Sequence, residues 1–166
     1  MMNNITIKRA QGGDIPAIEG IYRDTVAWLC EMGQSLWAAS DLTWDALSKL
    51  YRLDDFYIAY LNGAPAGSMV LVDFDPFFWP EAAKGQSLFL HKLAIKKSAR
   101  KTGVADAMMD FFKQEALSRG IKTVELETHA ARPRLRAFYE RHGFGFVKTV
   151  DYGPDRPTAF YAFILD

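Results

Sequence analysis

A basic turn between residues 96 and 105 carries the clearest chemical signal in this sequence. The apolar run from Leu88 to Ile95 predicts a buried strand before the turn, and Gly103 opens an amphipathic helix after it. No acidic residue lies between Glu81 and Asp106, an interval whose cations are Lys84, Lys92, Lys96, Lys97, Arg100 and Lys101. A helix start leaves backbone N–H groups without intrahelical acceptors and carries partial positive charge. The turn is therefore predicted to bind an anion such as phosphate.

The histidines and the cysteine do not form a metal-site pattern. His91, His129 and His142 lack paired ligand spacing, so a zinc site is not expected. Cys30 is the only cysteine, which excludes an internal disulfide and a thiolate zinc site. We expect this cysteine to be a small core residue rather than a nucleophile. The sequence therefore predicts no metal cofactor.

Length and composition predict one domain over residues 1–166. A chain of this size buries roughly two-thirds of its unfolded surface. The 20 basic and 20 acidic side chains cancel, which argues against a nucleic-acid partner because phosphate contacts need an excess of cations. No apolar run approaches the roughly 20 residues that span a bilayer, and the N-terminus lacks the apolar region of a secretory signal. We expect a cytoplasmic protein with no membrane partner.

The elements that must position the basic turn follow from periodicity. Two apolar runs, 56–61 and 65–74, are joined by Asn62-Gly63 and predict a β-hairpin, because a type I′ turn needs positive φ at both central positions. The full predicted order is β-α-α-β-β-β-α-β-α-β-β. Single helices between the middle strands require parallel neighbours, whereas the hairpin and the closing pair of strands are antiparallel. The predicted fold class is α/β (α+β), with a mixed central sheet of about seven strands flanked by helices.

The segments R-K-T-G-V-A and A-F-Y-E-R-H-G-F carry a resemblance to a known family. The first matches the pattern Arg/Gln-x-x-Gly-x-Gly/Ala, follows a predicted strand and opens a helix. With the second segment downstream, nearly the whole chain resembles the GNAT family of N-acetyltransferases, and the resemblance implies a single-domain acyl-CoA N-acyltransferase fold. The turn lacks the Gly-Lys-Ser/Thr of a P-loop and the Gly-x-Gly-x-x-Gly of a dinucleotide-binding fold.

The resemblance implies acetyl-coenzyme A (acetyl-CoA) as cosubstrate and gives its binding residues by position. The backbone amides of the turn would cradle the diphosphate, and the lack of a side chain at Gly103 would let the backbone approach it. Leu93, Ala94 and Ile95 match the stretch that pairs with pantetheine, and the N–H of Leu93 is the implied donor to the oxyanion. The implied turn residues are Arg100, Lys101, Thr102, Gly103, Val104 and Ala105.

Two further positions follow from the same resemblance. Tyr139 matches the tyrosine that commonly protonates the departing thiolate, a role that suits a phenol held beside the sulfur. Considered without the family, a tyrosine packed on the inner face of its helix is the alternative. Many members have asparagine seven residues earlier, where this chain has Arg132. An arginine there would contact a phosphate instead, so Arg132 and the nearby Arg136 are cofactor-binding candidates.

The acceptor amine needs a group that takes its proton. An alkyl amine with a pKa near ~10.4 is only about 0.04% neutral at pH 7. His91, two residues before Leu93, and Glu127, at the end of the next strand, are the catalytic candidates, with Asp73 and Asp75 as further ones. The unperturbed pKa of histidine suits the task, although a hydrogen-bonded structural histidine is the alternative.

Three tryptophans and one aspartate are candidates for substrate binding. The early helical region contains Trp28 and Trp37, and the long loop after the hairpin, residues 73–86, begins at Asp73 and contains Trp79. In folds of this family these two segments line the acceptor site. The tryptophan rings would stack on a substrate or hold a cation, while core packing and a dimer surface are the alternatives. A homodimer is the family-level expectation.

The sequence thus predicts an acetyl-CoA-dependent N-acetyltransferase. The resemblance implies transfer to a primary amine of a small molecule, directly and within a ternary complex. The alternative is a catalytically degenerate sensor module of the same fold that binds acyl-CoA. The two differ in whether acetyl-CoA is turned over with any amine.

Overall fold

The computed structural model describes residues 2–166, whose strands and helices follow the predicted order. The strands are β1 (Ile5–Arg9), β2 (Phe56–Leu61), β3 (Ala64–Val72), β4 (Ser87–Ile95), β5 (Thr123–His129), β6 (Gly145–Asp151) and β7 (Pro157–Ile164). The helices are α1 (Ile15–Glu31), α2 (Trp44–Leu50), α3 (Val104–Ser118) and α4 (Pro133–Arg141). Within residues 2–166, no helix combines the length and the apolar character needed to cross a membrane.

The strands form one 7-stranded sheet in the order β1-β2-β3-β4-β5-β7-β6. Strands β4 and β5 are parallel, while the pairs β1/β2, β2/β3, β5/β7 and β6/β7 are antiparallel. Helix α3 connects β4 to its parallel neighbour β5, as a crossover connection requires. This mixed sheet with flanking helices confirms the predicted fold class.

The described residues group into two compact units. The first unit takes the chain up to Leu71 together with Lys92–Phe111, and the second takes Val72–His91 together with Phe112–Asp166. Strand β4 and helix α3 each contribute residues to both units. The expectation of one domain over residues 1–166 stays a prediction.

The hairpin of the first unit has the predicted turn. Asn62 and Gly63 have φ values of 52 and 86, both in the left-handed region that a type I′ turn requires. The Asn4 N–H donates to Asn62 Oδ1 at 2.9 Å, and the Asn62 N–H donates to the Asn4 carbonyl at 2.7 Å. These two bonds hold β1 against the hairpin, with Ile5 opposite Leu61.

Helix α1 buries one face within the first unit. Its buried residues recur every three or four positions and are Ile18, Ile21, Tyr22, Thr25 and Leu29. Successive residues point about 100° apart around a helix, so the neighbour of Leu29 leaves this face. Cys30 is accordingly exposed, and the expectation of a core cysteine is wrong.

The second unit has its core between β5, β7 and the loop that follows β3. Strand β5 pairs with β7 from Thr123 opposite Ile164 to His129 opposite Thr158. The buried rings of Trp79, Phe89 and Phe160 form a cluster in this core.

Gly143 makes the turn from α4 into β6 in the second unit. Its φ is 89, and a Cβ at this position would lie 2.4 Å from Cε2 of Phe163. Only glycine combines this backbone conformation with such a close approach.

Candidate active site

Strand β4 contains one residue, Lys92, with a left-handed backbone. Lys92 has a φ of 54, which is unusual for a lysine and interrupts a regular strand. Its carbonyl accepts a hydrogen bond from the Tyr22 hydroxyl at 2.7 Å, and the Ile95 carbonyl accepts one from Thr25 Oγ1 at 3.2 Å. Helix α1 therefore binds backbone carbonyls on both sides of Leu93 and Ala94.

The turn after β4 has the backbone of an anion-binding nest. Lys101 and Gly103 have φ values of 61 and 94, so left-handed residues alternate along the turn, and α3 begins at the next residue, Val104. Such an alternation turns successive N–H groups toward one concavity. The Thr102 carbonyl accepts a hydrogen bond from the Asn3 side chain at 3.2 Å, and the Thr102 hydroxyl donates to the Ala99 carbonyl. Both of these bonds are accepted by backbone carbonyl groups, and neither uses a backbone N–H group of the turn.

Gly103 leaves space in this turn. A Cβ added there would meet Ile5 Cδ1 at 3.7 Å, which is an ordinary contact, while the positive φ would strain any other residue. Helix α3 adds the free amides and partial positive charge of its N-terminus. The turn from Arg100 to Ala105 therefore fits a diphosphate.

Two of the three tryptophans of the first unit, Trp28 and Trp37, lie against cations of that unit. The guanidinium carbon of Arg100 lies 3.4 Å from the ring centroid of Trp28, and burial lowers the pKa of Arg100. Trp37 has Lys92 Nζ 5.5 Å from its ring centroid and makes an edge contact with Tyr22 at 6.2 Å. Trp28 thus orients Arg100 in the turn after β4, and Trp37 lies against Lys92.

The second unit brings three of the predicted proton acceptors together. His91 Nε2 lies 3.0 Å from Asp75 Oδ2, and His91 Nδ1 lies 2.8 Å from Glu127 Oε1. The three side chains are 8%, 8% and 9% exposed in the order His91, Asp75, Glu127. We call Asp75, His91 and Glu127 the acidic triad.

Neighbouring groups fix both carboxylates of the acidic triad. The Phe78 N–H donates to Asp75 Oδ1 at 3.1 Å, which closes a turn at the start of the loop. The Trp79 indole N–H donates to Glu127 Oε2 at 3.2 Å. Trp79 is only 3% exposed, so it packs in the core and orients Glu127 from there, and its predicted contact with a substrate stays a prediction.

The charges of the acidic triad follow from its geometry. Burial alone lowers the pKa of His91, but the charges and hydrogen bonds of Glu127 and Asp75 outweigh it and raise this pKa to about 9. Burial raises the pKa of Asp75, but the hydrogen bond from His91, the backbone bonds from Phe78 and Phe77 and the charge of His91 together outweigh it, so the net direction is down. Near pH 7 one cation thus stands between two anions. A histidine that already holds its proton is not a base at this pH.

The donor types of the acidic triad are also those of a divalent metal site. Their ligand atoms lie within 4.8 Å of one another. Both ring nitrogens of His91 face carboxylate oxygens, however, and a protonated imidazole is not a ligand. The arrangement favours a proton over a metal ion.

Tyr139 is buried in the second unit. It lies on α4, is 5% exposed, and packs against Phe138 and Phe144 with ring centroids 5.3 and 6.3 Å away. Burial first, and then the charge of Glu127, raise the pKa of Tyr139. The phenol therefore keeps its proton until a stronger base forms.

Arg136 and Asp73 are engaged within the second unit. Arg136 Nε donates to the Tyr161 hydroxyl at 2.8 Å, and Nη1 donates to the Ala130 carbonyl at 3.3 Å. Asp73 pairs with Lys84 at 2.7 Å and closes the loop that follows β3. The predicted ligand contacts of both residues would compete with these bonds. Arg132 lies directly before α4 and is half-buried.

Sequence reasoning missed a cluster of rings beside the acidic triad. Phe77, Phe78 and Tyr152 contact one another, and the ring centroid of Phe78 lies 6.2 Å from that of His91. The aromatic content of the loop was a signal for the two phenylalanines. Nothing in the local sequence pointed to Tyr152, which directly follows β6.

The chain belongs to the acetyltransferase (GNAT) family, because the model of that family matches residues 22–144. Acetyltransferases of this family use acetyl-CoA, which confirms the predicted cosubstrate. A search of curated proteins found no match.

Solved structures share the fold along nearly the whole chain. A GNAT acetyltransferase from Listeria monocytogenes is 20% identical, with a TM-score of 0.77 over 97% of this chain and 95% of that one. The ribosomal-protein-S18-alanine N-acetyltransferase from Escherichia coli is 19% identical, with a TM-score of 0.71 over 98% and 94%. YncA from Salmonella typhimurium, solved with acetyl-CoA, is 16% identical, with a TM-score of 0.72 over 98% and 94%. At these identities the similarity establishes the fold and leaves the acceptor open.

Proposed function

We propose that the protein transfers an acetyl group from acetyl-CoA to a primary amine of a small molecule, by direct attack within a ternary complex. The observation that carries the proposal is the acidic triad, in which His91 holds Glu127 at 2.8 Å as a buried carboxylate. Such a carboxylate attracts an ammonium ion and accepts its proton. Family membership supplies the other half of the reaction, the acetyl donor.

The first unit supplies the proposed donor-binding residues. The amides from Arg100 to Ala105 bind the diphosphate, supported by the alternating left-handed residues of the turn. The backbone of Leu93 to Ile95 pairs with pantetheine, and the Leu93 N–H donates to the acyl oxygen as negative charge develops there. The positive φ of Lys92 supports this assignment because such a residue interrupts the regular strand directly before Leu93. Bound acetyl-CoA supplies an activated thioester.

The second unit supplies the proposed proton transfers. Glu127 takes a proton from the bound ammonium ion, which makes the nitrogen a nucleophile. His91 is a positioning residue in this scheme, because it already holds a proton and orients Glu127. Tyr139 then gives its proton to the sulfur as the carbon–sulfur bond breaks, and the second proton that the nitrogen loses as the amide forms returns to the phenolate of Tyr139. Its raised pKa keeps the phenol protonated before that step.

Thiol release with a panel of amines tests the proposed reaction. The panel contains small primary amines and a peptide with a free N-terminus, each with acetyl-CoA. We expect turnover of small amines with intersecting initial-rate patterns, as a ternary complex gives. Ping-pong kinetics would refute direct transfer, and preference for the peptide would refute a small-molecule acceptor. Tight binding of acetyl-CoA without turnover of any amine would favour the alternative, a sensor module that binds acyl-CoA without catalysis.

Substitution of Tyr139 tests the proposed acid. Because general acids contribute roughly 10²–10⁴-fold, Tyr139→Phe should lower kcat by at least about a hundredfold. Tyr60→Phe is the matched control, since it also removes a tyrosine hydroxyl, one bonded to Asp14 at 3.4 Å in the first unit. If Tyr139→Phe keeps the wild-type kcat at every pH, another group protonates the sulfur.

A further inference from the structure

Phe77, Phe78 and Tyr152 form a partly exposed ring cluster in the second unit. The ring centroids of Phe77 and Phe78 are 4.7 Å apart, and those of Phe77 and Tyr152 are 5.5 Å apart and stacked. Phe78 and Tyr152 meet edge to face at 5.4 Å. Phe77 is nevertheless 64% exposed. A ring that is fixed by two others and still faces solvent offers an apolar contact to a ligand.

The loop that carries Phe77 and Phe78 is held in place. The Gly85 N–H donates to the Asp73 carbonyl at 2.9 Å, and Lys84 pairs with the Asp73 side chain at 2.7 Å. Within the loop, the backbone N–H of Trp79 donates to the Asp75 carbonyl at 2.9 Å. The exposed position of Phe77 is therefore set by the loop structure, so the ring surface exists before a ligand arrives.

The ring cluster lies in the field of carboxylates. Phe78 packs over the His91 ring at 6.2 Å with the planes 31° apart. Burial raises the pKa of Tyr152, and the charges of Glu127, Asp75 and Glu81 raise it further. Two carboxylates and one imidazolium leave the acidic triad with a net negative charge beside the rings. An apolar surface beside net negative charge suits a cation with an apolar body.

We propose that the acceptor is an aryl-alkyl ammonium ion without a carboxylate, whose ring packs on Phe77, Phe78 and Tyr152 while its nitrogen faces the acidic triad. This inference rests on the proposed function and names the acceptor class of that site. An amino acid is disfavoured because its own carboxylate would meet Asp75 and Glu127. A small alkyl amine has the positive charge but lacks an apolar group large enough to pack on the three rings. A polyamine would place a charged nitrogen against the rings, where an apolar group packs better.

Steady-state kinetics with four amines tests the acceptor class. The probes are phenethylamine, ethylamine, phenylalanine and spermidine, at saturating acetyl-CoA. Burial of one aromatic ring is worth roughly 1.5–3 kcal/mol, so kcat/KM for phenethylamine should exceed that for ethylamine by at least about tenfold. Phenylalanine should fall below phenethylamine by a similar factor. Equal or better turnover of any of the other three probes would overturn the inference and leave the proposed N-acetyltransferase intact.

A pair of loop variants tests the ring cluster itself. Phe77→Ala should reduce the preference for phenethylamine over ethylamine about tenfold, mainly through KM. Phe74→Ala is the matched control, because it removes a 47% exposed phenylalanine of the same loop that is outside the cluster. An unchanged preference in Phe77→Ala, or an equal loss in both variants, would refute the assignment.

Calorimetry separates this inference from the proposed function. Phenethylammonium should bind the wild-type chain and bind Phe77→Ala more weakly, whether or not acetyl-CoA is present. That result without any thiol release would support the ring surface and refute the acetyltransferase. No difference in binding between the two chains would overturn the ring surface even if amines are acetylated.

Discussion

His91 should make the stability of the protein fall as the pH rises from neutral to alkaline. The folded chain holds the pKa of His91 at about 9 through two buried carboxylates, whereas an unfolded histidine has a pKa of about 6.5. Below about pH 6.5 both states are protonated, and the full stabilisation is present. Between the two pKa values only the folded state keeps the proton. Stability is therefore lost as the pH rises toward 9.

The size of this loss follows from the two pKa values. Each pH unit between them changes the free energy of unfolding by about 1.4 kcal/mol. The interval from about 6.5 to about 9 gives a loss of about 3 kcal/mol. His91 is 8% exposed, so solvent screening removes little of this effect. A loss of this size is a large part of the stability of a typical domain.

Urea denaturation across the pH range measures the effect. The free energy of unfolding is compared between the wild type and His91→Gln at pH values from 6 to 9.5, with His142→Gln as control. The glutamine side chain does not titrate in this range, so the stability advantage of the wild type over His91→Gln should shrink by about 3 kcal/mol. The control retains His91 and should follow the wild type. Ring nitrogen chemical shifts from NMR give the pKa of His91 independently.

Two results would refute the reasoning. One is a stability difference between wild type and His91→Gln that stays constant from pH 6 to 9.5. The other is a titration of the His91 ring below pH 7, which would mean that the carboxylates do not outweigh burial. In that case His91 becomes available as a base, and the roles proposed for it and for Glu127 would be exchanged.

Three further outcomes are expected. Gly143→Ala should destabilise the fold by more than about 1 kcal/mol, because its Cβ would clash with Phe163 at 2.4 Å, whereas Gly12→Ala, which meets nothing within 4 Å, should be far milder in thermal unfolding. Trp28→Leu should weaken acetyl-CoA binding about two- to fivefold in calorimetry, because the ring no longer holds the Arg100 guanidinium; unchanged affinity would remove Arg100 from the donor site. Gly103→Glu should abolish acetyl-CoA binding, whereas Gly103→Ala, which has the same backbone strain, should retain part of it. Equal affinities of the two variants for acetyl-CoA would show that no phosphate lies at this turn.

The elements encoded by local sequence were predicted well. Asn62-Gly63 fixed the hairpin because few residue pairs tolerate two positive φ values, and the helix predicted to open at Gly103 begins at Val104. These features depend on a few adjacent residues. The family resemblance then assigned the turn from Arg100 to Ala105 as the proposed diphosphate site.

The acidic triad could not be assembled from sequence, although each member was a candidate proton acceptor. Leu90 pairs with Leu126 in the parallel strands, so His91 and Glu127 follow at the next position of each strand. That register depends on contacts distant in sequence, and Asp75 arrives from a loop whose turn is closed by its own side chain. Trp79 shows the same limit of prediction from sequence. A tryptophan in a loop gives the same sequence pattern whether its ring contacts a ligand or, as in this chain, packs in the core.

The exposed thiol of Cys30 makes the chain convenient for labelling. It is the only cysteine, and it lies in the last turn of α1 on the face away from the buried residues. A maleimide dye would attach at one defined point, which gives a homogeneous reporter for anisotropy or single-molecule measurements. The same thiol reacts with the reagents that detect released coenzyme A and adds a fixed background. Cys30→Ser is therefore the form in which product thiol should be counted.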